Sequence, residues 1–174
     1  MPDLIDPLRP ARRDDAATIA AYHRRCWQTS FRSITDLEVL AYVEQSSMDD
    51  LIALWHQRMA DDSPQRVVVA TDSSDQAIGH VMVDGAELVH LFIDPDHHRE
   101  GWGRVLLEIG EAMIRENGHR VAELHTMVGN TPAITLYEAT GWVVTDDHIT
   151  NELPNGSSFV EHVLRKDLGD TPTR

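Results

Sequence analysis

The chain has 174 residues and a mass of 19.6 kDa, enough to close one hydrophobic core without metal or disulfide support. With 41% hydrophobic and 25% charged residues it has an ordinary globular composition, and no apolar run approaches the roughly twenty residues of a membrane span. A formal charge of −14 argues against nucleic acid or an acidic membrane as partner, because both are held mainly through Lys and Arg; it suits a cationic substrate, and equally a merely soluble acidic protein.

The lone Cys26 permits no internal disulfide, and Met1–Pro7 has neither a basic start nor an apolar stretch, so a cytoplasmic location is expected. The ten histidines include the adjacent His97-His98 but no HExxH and no Cys/His zinc spacing, and no metal is assigned.

In chain order, Leu8–Ala11 predicts a short strand, and Asp14 or Asp15 caps a helix running to about Trp27. Two helices follow near Asp36–Gln45 and Met48–Ala60, the second with Leu51, Leu54, Trp55 and Met59 on one broad face. Strands are predicted over Arg66–Thr71, Ala77–Val83 and Glu87–Ile93, with turns short enough for an antiparallel meander. Arg104–Asn117 spaces Val105, Ile109 and Met113 one helical turn apart, with Gly118 placed to end the helix. Val121–Val128 predicts another strand, Pro132–Thr140 a short helix closed by Gly141, and Trp142–Thr145 and Ser158–Leu164 the last strands. Gly169–Arg174 reads as a loose tail, and the whole as one domain with a core at about 8–168. This order is a mixed α/β pattern, not a strict alternation, which excludes a simple doubly wound sheet.

One stretch carries chemistry: Glu87-Leu88-Val89-His90-Leu91-Phe92-Ile93-Asp94-Pro95-Asp96-His97-His98-Arg99-Glu100-Gly101-Trp102-Gly103-Arg104-Val105-Leu106-Leu107. Glycines at 101 and 103 remove Cβ atoms, so backbone N–H groups can approach phosphate oxygens, and the helix that follows adds free N–H donors and the positive end of its dipole. Because these donors are local, with Arg99 and Arg104 beside them, a pyrophosphate can bind despite the net charge. The bland alternative is a plain loop entering a helix. A Walker A loop would need Gly-Lys-Ser/Thr, and a dinucleotide fingerprint would need glycine where Leu106 stands. Glu123, twenty residues after Gly103, keeps the dinucleotide reading open, whereas the antiparallel strands before the loop weigh against it.

A second stretch is Asn130-Thr131-Pro132-Ala133-Ile134-Thr135-Leu136-Tyr137-Glu138-Ala139-Thr140-Gly141-Trp142. Together the two motifs resemble those of the GNAT superfamily of N-acetyltransferases, over about Leu8–Leu168. The first matches its strand, Pro-containing turn and Arg/Gln-x-x-Gly-x-Gly/Ala loop, with His98 at the Arg/Gln position. The second is similar to Asn-x-x-Ala-x-x-x-Tyr-Glu-x-x-Gly-Phe, with Trp142 for the final Phe.

The resemblance implies a mostly antiparallel sheet flanked by helices, opened into a V between its two central strands, with acetyl-CoA as acyl donor. Backbone of Leu91, Phe92 and Ile93 would bond the pantetheine arm. The loop His98, Arg99, Glu100, Gly101, Trp102, Gly103 and Arg104 would hold the pyrophosphate, and Asn130, Ala133 and Tyr137 would lie beside the cofactor. Asn130 also suits a plain turn before a helix.

Expelling a thiolate is easier with a proton donor, and a phenol of ordinary pKa near 10 is protonated at neutral pH. Tyr137 is therefore the expected general acid, with core packing as the alternative. Glu87, six residues before Ile93, matches the spacing of the base in the histone-modifying branch, and alternatively is an exposed carboxylate at a strand start. Substitutes for the base are His90, Glu123 and His125, although in a regular strand His90 faces away from Glu87. Tyr22, Trp27, Gln28, Phe31 and Trp55 are expected to shape the acceptor pocket.

The expected acceptor is a primary amine of a small molecule or a peptide N-terminus. The other functional class is a non-catalytic acyl-CoA-binding or sensing module. A homodimer through the final strands is compatible with the resemblance, though nothing in Trp142–Leu164 compels it.

Overall fold

The computed structural model describes Pro2, Leu4 and residues 6–169; Met1, Asp3 and Ile5, and the expected tail from Asp170 to Arg174, lie outside the described residues. Seven strands form one sheet in the order β1-β2-β3-β4-β5-β7-β6. They are β1 (Leu8–Pro10), β2 (Arg66–Thr71), β3 (Ala77–Asp84), β4 (Glu87–Ile93), β5 (Val121–Met127), β6 (Val143–Glu152) and β7 (Ser158–Asp167). The helices are α1 (Ala16–Thr29), α2 (Leu37–Gln45), α3 (Met48–Arg58), α4 (Trp102–Glu116) and α5 (Thr131–Ala139). Every strand contact is antiparallel except β4 with β5.

Apolar residues on both sides of the central strands give the sheet two cores. Val68 and Ala70 of β2, Val81 of β3 and Leu88 of β4 face Leu106, Leu107, Met113 and Ile114 of α4. Val67, Val69 and Met82 face Ile19, Ala20 and Tyr22 of α1 and Trp55 of α3. The unbroken Val-Val-Val-Ala run of β2 follows from this, since a strand covered on both faces has no polar side to alternate with. Each fully buried aliphatic side chain contributes roughly 1.5–3 kcal/mol. At Gly110 an added Cβ would lie 2.8 Å from Leu88 and Val81, so α4 sits close against β3 and β4 and fixes the loop that precedes it.

The structure departs from the sequence reading at the C-terminal hairpin. β6 runs to Glu152, well past Thr145, and Trp142 precedes it, buried, its Nε1 donating to Glu111 at 2.9 Å. Glu111 also accepts from Lys166 Nζ at 2.7 Å, so this buried carboxylate has a countercharge. Residues 146–152 are mostly polar and give little strand signal. His148–Glu152 pair because β7 supplies a template, beyond a break in register after Val144, and β6, as the sheet's outer strand, needs no apolar face. The helix α4 begins at Trp102, two residues before the expected start, which brings Gly103 into its first turn.

Candidate active site

β4 and β5 pair only at Glu87↔Glu123 and Leu88↔Leu124. Beyond Leu88 the strands separate, and the β5-facing backbone edge of Val89–Ile93 has no strand partner. Cavities of about 460 and 390 Å³ open along this gap. Phe31, Leu91, Phe92, Asn130, Ala133 and Tyr137 line both, so they form one slot through the sheet.

At one end lies the glycine loop. Asp94 accepts from Asp96 N–H and pairs with Arg25 of α1, which ties the end of β4 to the turn. Arg99 then adopts φ 67° and Gly101 φ 94°, left-handed conformations that turn the chain into α4. As a result, the N–H groups of Arg99, Glu100, Gly101, Trp102 and Gly103 meet no acceptor among the described residues. Unpaired donors at a helix start are the arrangement that suits an anion.

His98, Arg99, Trp102 and Gly103 line the smaller cavity, as do Ile93 and Cys26. Glu100, Gly101 and Arg104 stand outside its wall. The Glu100 carboxylate is within 3.3 Å of Trp102 Nε1 and 3.2 Å of His97 Nδ1. His98 turns back, its Nε2 3.0 Å from the Ile93 carbonyl, which also accepts from Cys26 Sγ at 3.2 Å. That carbonyl is thereby occupied, and Phe92, opposite His80 in the antiparallel ladder that Asp94 N–H continues to the Ile78 carbonyl, turns its backbone toward β3, so of the three expected backbone partners Leu91 keeps the open position and Phe92 does not.

At the middle of the slot, Asn130 caps α5 in sequence and lines both cavities; its Nδ2 donates to Thr126 Oγ1 at 3.1 Å. It is thus both the turn residue and a wall residue. Tyr137, on the same helix, is 6% exposed and reaches both cavities, while its hydroxyl makes no hydrogen bond within the described residues. Burial pushes the phenol further above its ordinary value, so it stays protonated at neutral pH.

The other end corrects the expectation for a regular β4. The register runs Met82↔His90 and then Val83↔Leu88, leaving Val89 as a bulge. Both Val89 and His90 therefore face α1 and α3, and Glu87 and His90 line one cavity. His90 nevertheless makes a poor base: it packs against His23, Trp55 and His80, and burial lowers its pKa well below the ordinary value.

Glu87 Oε1 is 3.4 Å from His125 Nδ1, whose Nε2 is 3.2 Å from Glu123. Glu123 accepts from Arg165 Nε at 2.8 Å. Three of the four candidate bases thus form one chain of side chains from cavity to surface. Glu161 of β7 also lines the cavity; burial raises its pKa, a hydrogen bond from Asn151 opposes this, and the Glu87 charge adds to it.

Of the aromatics expected around the acceptor, Trp27 and Phe31 line the cavity with ring centroids 4.9 Å apart. Tyr22 and Trp55 are fully buried core residues, and Gln28 faces a separate small groove beside Arg32 and Leu37. His23, Arg58, Asn151, Phe159 and Glu161 complete the wall without having been singled out in the sequence. Alternation along β7, with Phe159 and Glu161 on one face, would have paired the last two had the hairpin register been known.

Such a splayed mixed sheet, with a loop of unpaired N–H donors at one mouth of the slot, is an acyl-CoA transferase architecture. The family model described as acetyltransferase (GNAT) family matches residues 31–142, more than half the chain, and the chain belongs to that family. A curated relative, the ribosomal protein bS18-alanine N-acetyltransferase of Escherichia coli, is 38% identical over 66 residues, which are 38% of this chain and 45% of the relative. Mycothiol acetyltransferase of Geodermatophilus obscurus is 39% identical over 71 residues, 41% of this chain and 21% of that protein. The match therefore spans less than half the length of either relative.

Among solved structures, a GCN5-related N-acetyltransferase from Rhodopseudomonas palustris superposes with TM-score 0.77 at 19% identity, covering 96% of this chain and 98% of that one. The PaiA N-acetyltransferase of Thermoplasma acidophilum, solved in complex with coenzyme A, gives 0.70 at 20% identity, covering 92% and 97%. At these identities the likeness establishes the shared fold.

Proposed function

We propose that this protein transfers an acetyl group from acetyl-CoA to a primary amine of a small molecule or a peptide N-terminus. One observation carries the reading: a single slot joins a run of free loop N–H donors to a cavity walled by Glu87, His125 and Glu161. The residues present fit the cofactor, because the loop offers unpaired donors for phosphate oxygens and β4 an unpaired edge for amides.

Acetyl-CoA would supply the activated acyl group, so that the amine nitrogen bonds to the acetyl carbon while the C–S bond breaks. An amine that is protonated at neutral pH must first lose a proton. Glu87 accepts it directly or through water, and the chain to His125 and Glu123 passes it outward. Tyr137, held protonated by burial, donates to the departing sulfur. Phe92, Phe31 and Trp27 give the acceptor side apolar walls.

Expelled CoA thiol, followed with a thiol reagent across a panel of amines, tests the assignment. Amine-dependent CoA release is expected. Tight acetyl-CoA binding with no release under any amine would instead identify a non-catalytic binding module. A homodimer through the open edge of β6 belongs to the same proposal and is read by sedimentation equilibrium.

A further inference from the structure

The larger cavity contains a charge that the chemistry above does not use. Arg58, the last residue of α3, lies in its wall, with its guanidinium over the Trp55 ring at 5.1 Å from the centroid. Its Nη1 is buried without a hydrogen-bond partner, and no carboxylate among the described residues pairs with it. Around it stand His23, His80 and His90, each held neutral by burial and by the charge of Arg58 itself, and an imidazole carries no negative charge in either form to offset the guanidinium. Stacking on Trp55 satisfies the face of the guanidinium but not its N–H edge. Nη1 is closed to water and unpaired, which is costly, while the rest of the half-buried guanidinium borders the open cavity and meets no hydrogen-bonding side chain among the described residues.

The same cavity has carboxylates in its wall, Glu87 on β4 and Glu161 on β7, with the rings of Trp27, Phe31 and Phe159 completing the lining. Neither carboxylate is within ion-pair distance of Arg58. The cavity is therefore dipolar, cationic at α3 and acidic at the β4–β7 side. Arg58 does not border the smaller cavity that carries the glycine loop, so a phosphate seated on that loop leaves the guanidinium unsatisfied.

We infer that the acceptor is a zwitterion, a free amino acid or close analogue whose carboxylate pairs with Arg58 while its ammonium faces Glu87 and Glu161. The inference rests on the acetyl-transfer reading for which group reacts, and on the cavity alone for which ligand binds. A guanidinium and a carboxylate match as paired donors and acceptors, which distinguishes an amino acid from a polyamine and from a peptide N-terminus, whose neighbouring carbonyl is an amide.

Matched ligand pairs test this: L-phenylalanine against phenethylamine and L-leucine against isoamylamine, titrated calorimetrically into the CoA-loaded protein and assayed for CoA release with acetyl-CoA. The amino acid of at least one pair should bind at least about tenfold more tightly than its amine, and Arg58→Gln should abolish that preference by weakening the amino acid, with the amine binding no less tightly than before. Arg58→Lys, which keeps the charge but loses the fork, should retain part of it. Equal or tighter binding of the decarboxylated amines, or a preference that survives Arg58→Gln, overturns the inference even if CoA is released. Arg58-dependent binding of the amino acid without CoA release would leave the ligand class standing and overturn acetyl transfer.

Discussion

Tyr137 and Glu87 stand on opposite sides of the slot, and the structure gives them different environments. The phenol is buried with no hydrogen-bond partner among the described residues, so its proton is committed to no protein acceptor. Tyr137→Phe should lower kcat by roughly 10²–10⁴-fold while acetyl-CoA affinity, measured by calorimetry, stays near normal; an unchanged kcat would leave the ring a packing role only. Glu87 is 42% exposed and tied to His125. Glu87→Gln should reduce kcat/KM near neutral pH and recover in part as rising pH supplies neutral amine. Superimposed pH–rate profiles for the two proteins would move the base to Glu161 or to His125. Both residue types were legible in sequence, since a tyrosine after Ala133 and a glutamate ahead of Ile93 sit in the motifs. His125 was named only as a substitute base and Glu161 not at all, because their meeting with Glu87 depends on strand pairing that only the folded sheet defines.

At the scale of elements, two irregularities make the site. The bulge at Val89 puts His90 on the face of Glu87, and the left-handed pair Arg99 and Gly101 turns the chain into α4 with five N–H groups left without an acceptor among the described residues. Periodicity predicted β4 as a regular strand, and nothing in Glu-Leu-Val-His-Leu announces a bulge. The loop was better marked by its glycines, though they act differently: Gly101 supplies the positive φ, whereas a Cβ at Gly103 would lie 3.2 Å from Leu136 of α5. Gly103→Val should weaken acetyl-CoA binding by at least about tenfold, about 1.4 kcal/mol. Adding Leu136→Ala separates the causes: affinity restored in the double variant would mean that α4 had been pushed from α5, and affinity still lost would mean that the branched side chain blocks the phosphate approach.

At the scale of the molecule, the helical face of the sheet that carries α1 and α3 encloses a cluster of neutral histidines. Burial lowers the pKa of His23 from 6.5 to about 4, and those of His80 and His90 well below their ordinary value. Between pH 6.5 and about 4 the unfolded chain then binds more protons at His23 than the folded one, so stability rises with pH across that window and is lost as pH falls. The limit is about 1.4 kcal/mol per pH unit for each such histidine. Urea midpoints should drop from pH 7 to pH 5, with a shallower drop in His23→Gln; a flat profile would show that the cluster takes up protons without penalty. No helix among the described residues is long and apolar enough to cross a membrane.

By itself the sequence determined the mixed α/β order, the apolar faces of α4 and the central strands, and the loop and α5 motifs, because each rests on spacing within a few consecutive residues. What only the tertiary structure decided was nonlocal. The extent of β6 depended on β7 as a hydrogen-bonding template, and the burial of Tyr22 and Trp55 depended on how α1 and α3 cross the sheet. The charges of the larger cavity depended on bringing Arg58, Glu87, His125 and Glu161 from four separate elements together. Local propensity carries the elements, but the charge of a cavity is set by which side chains the packing leaves facing it and which it leaves without a partner.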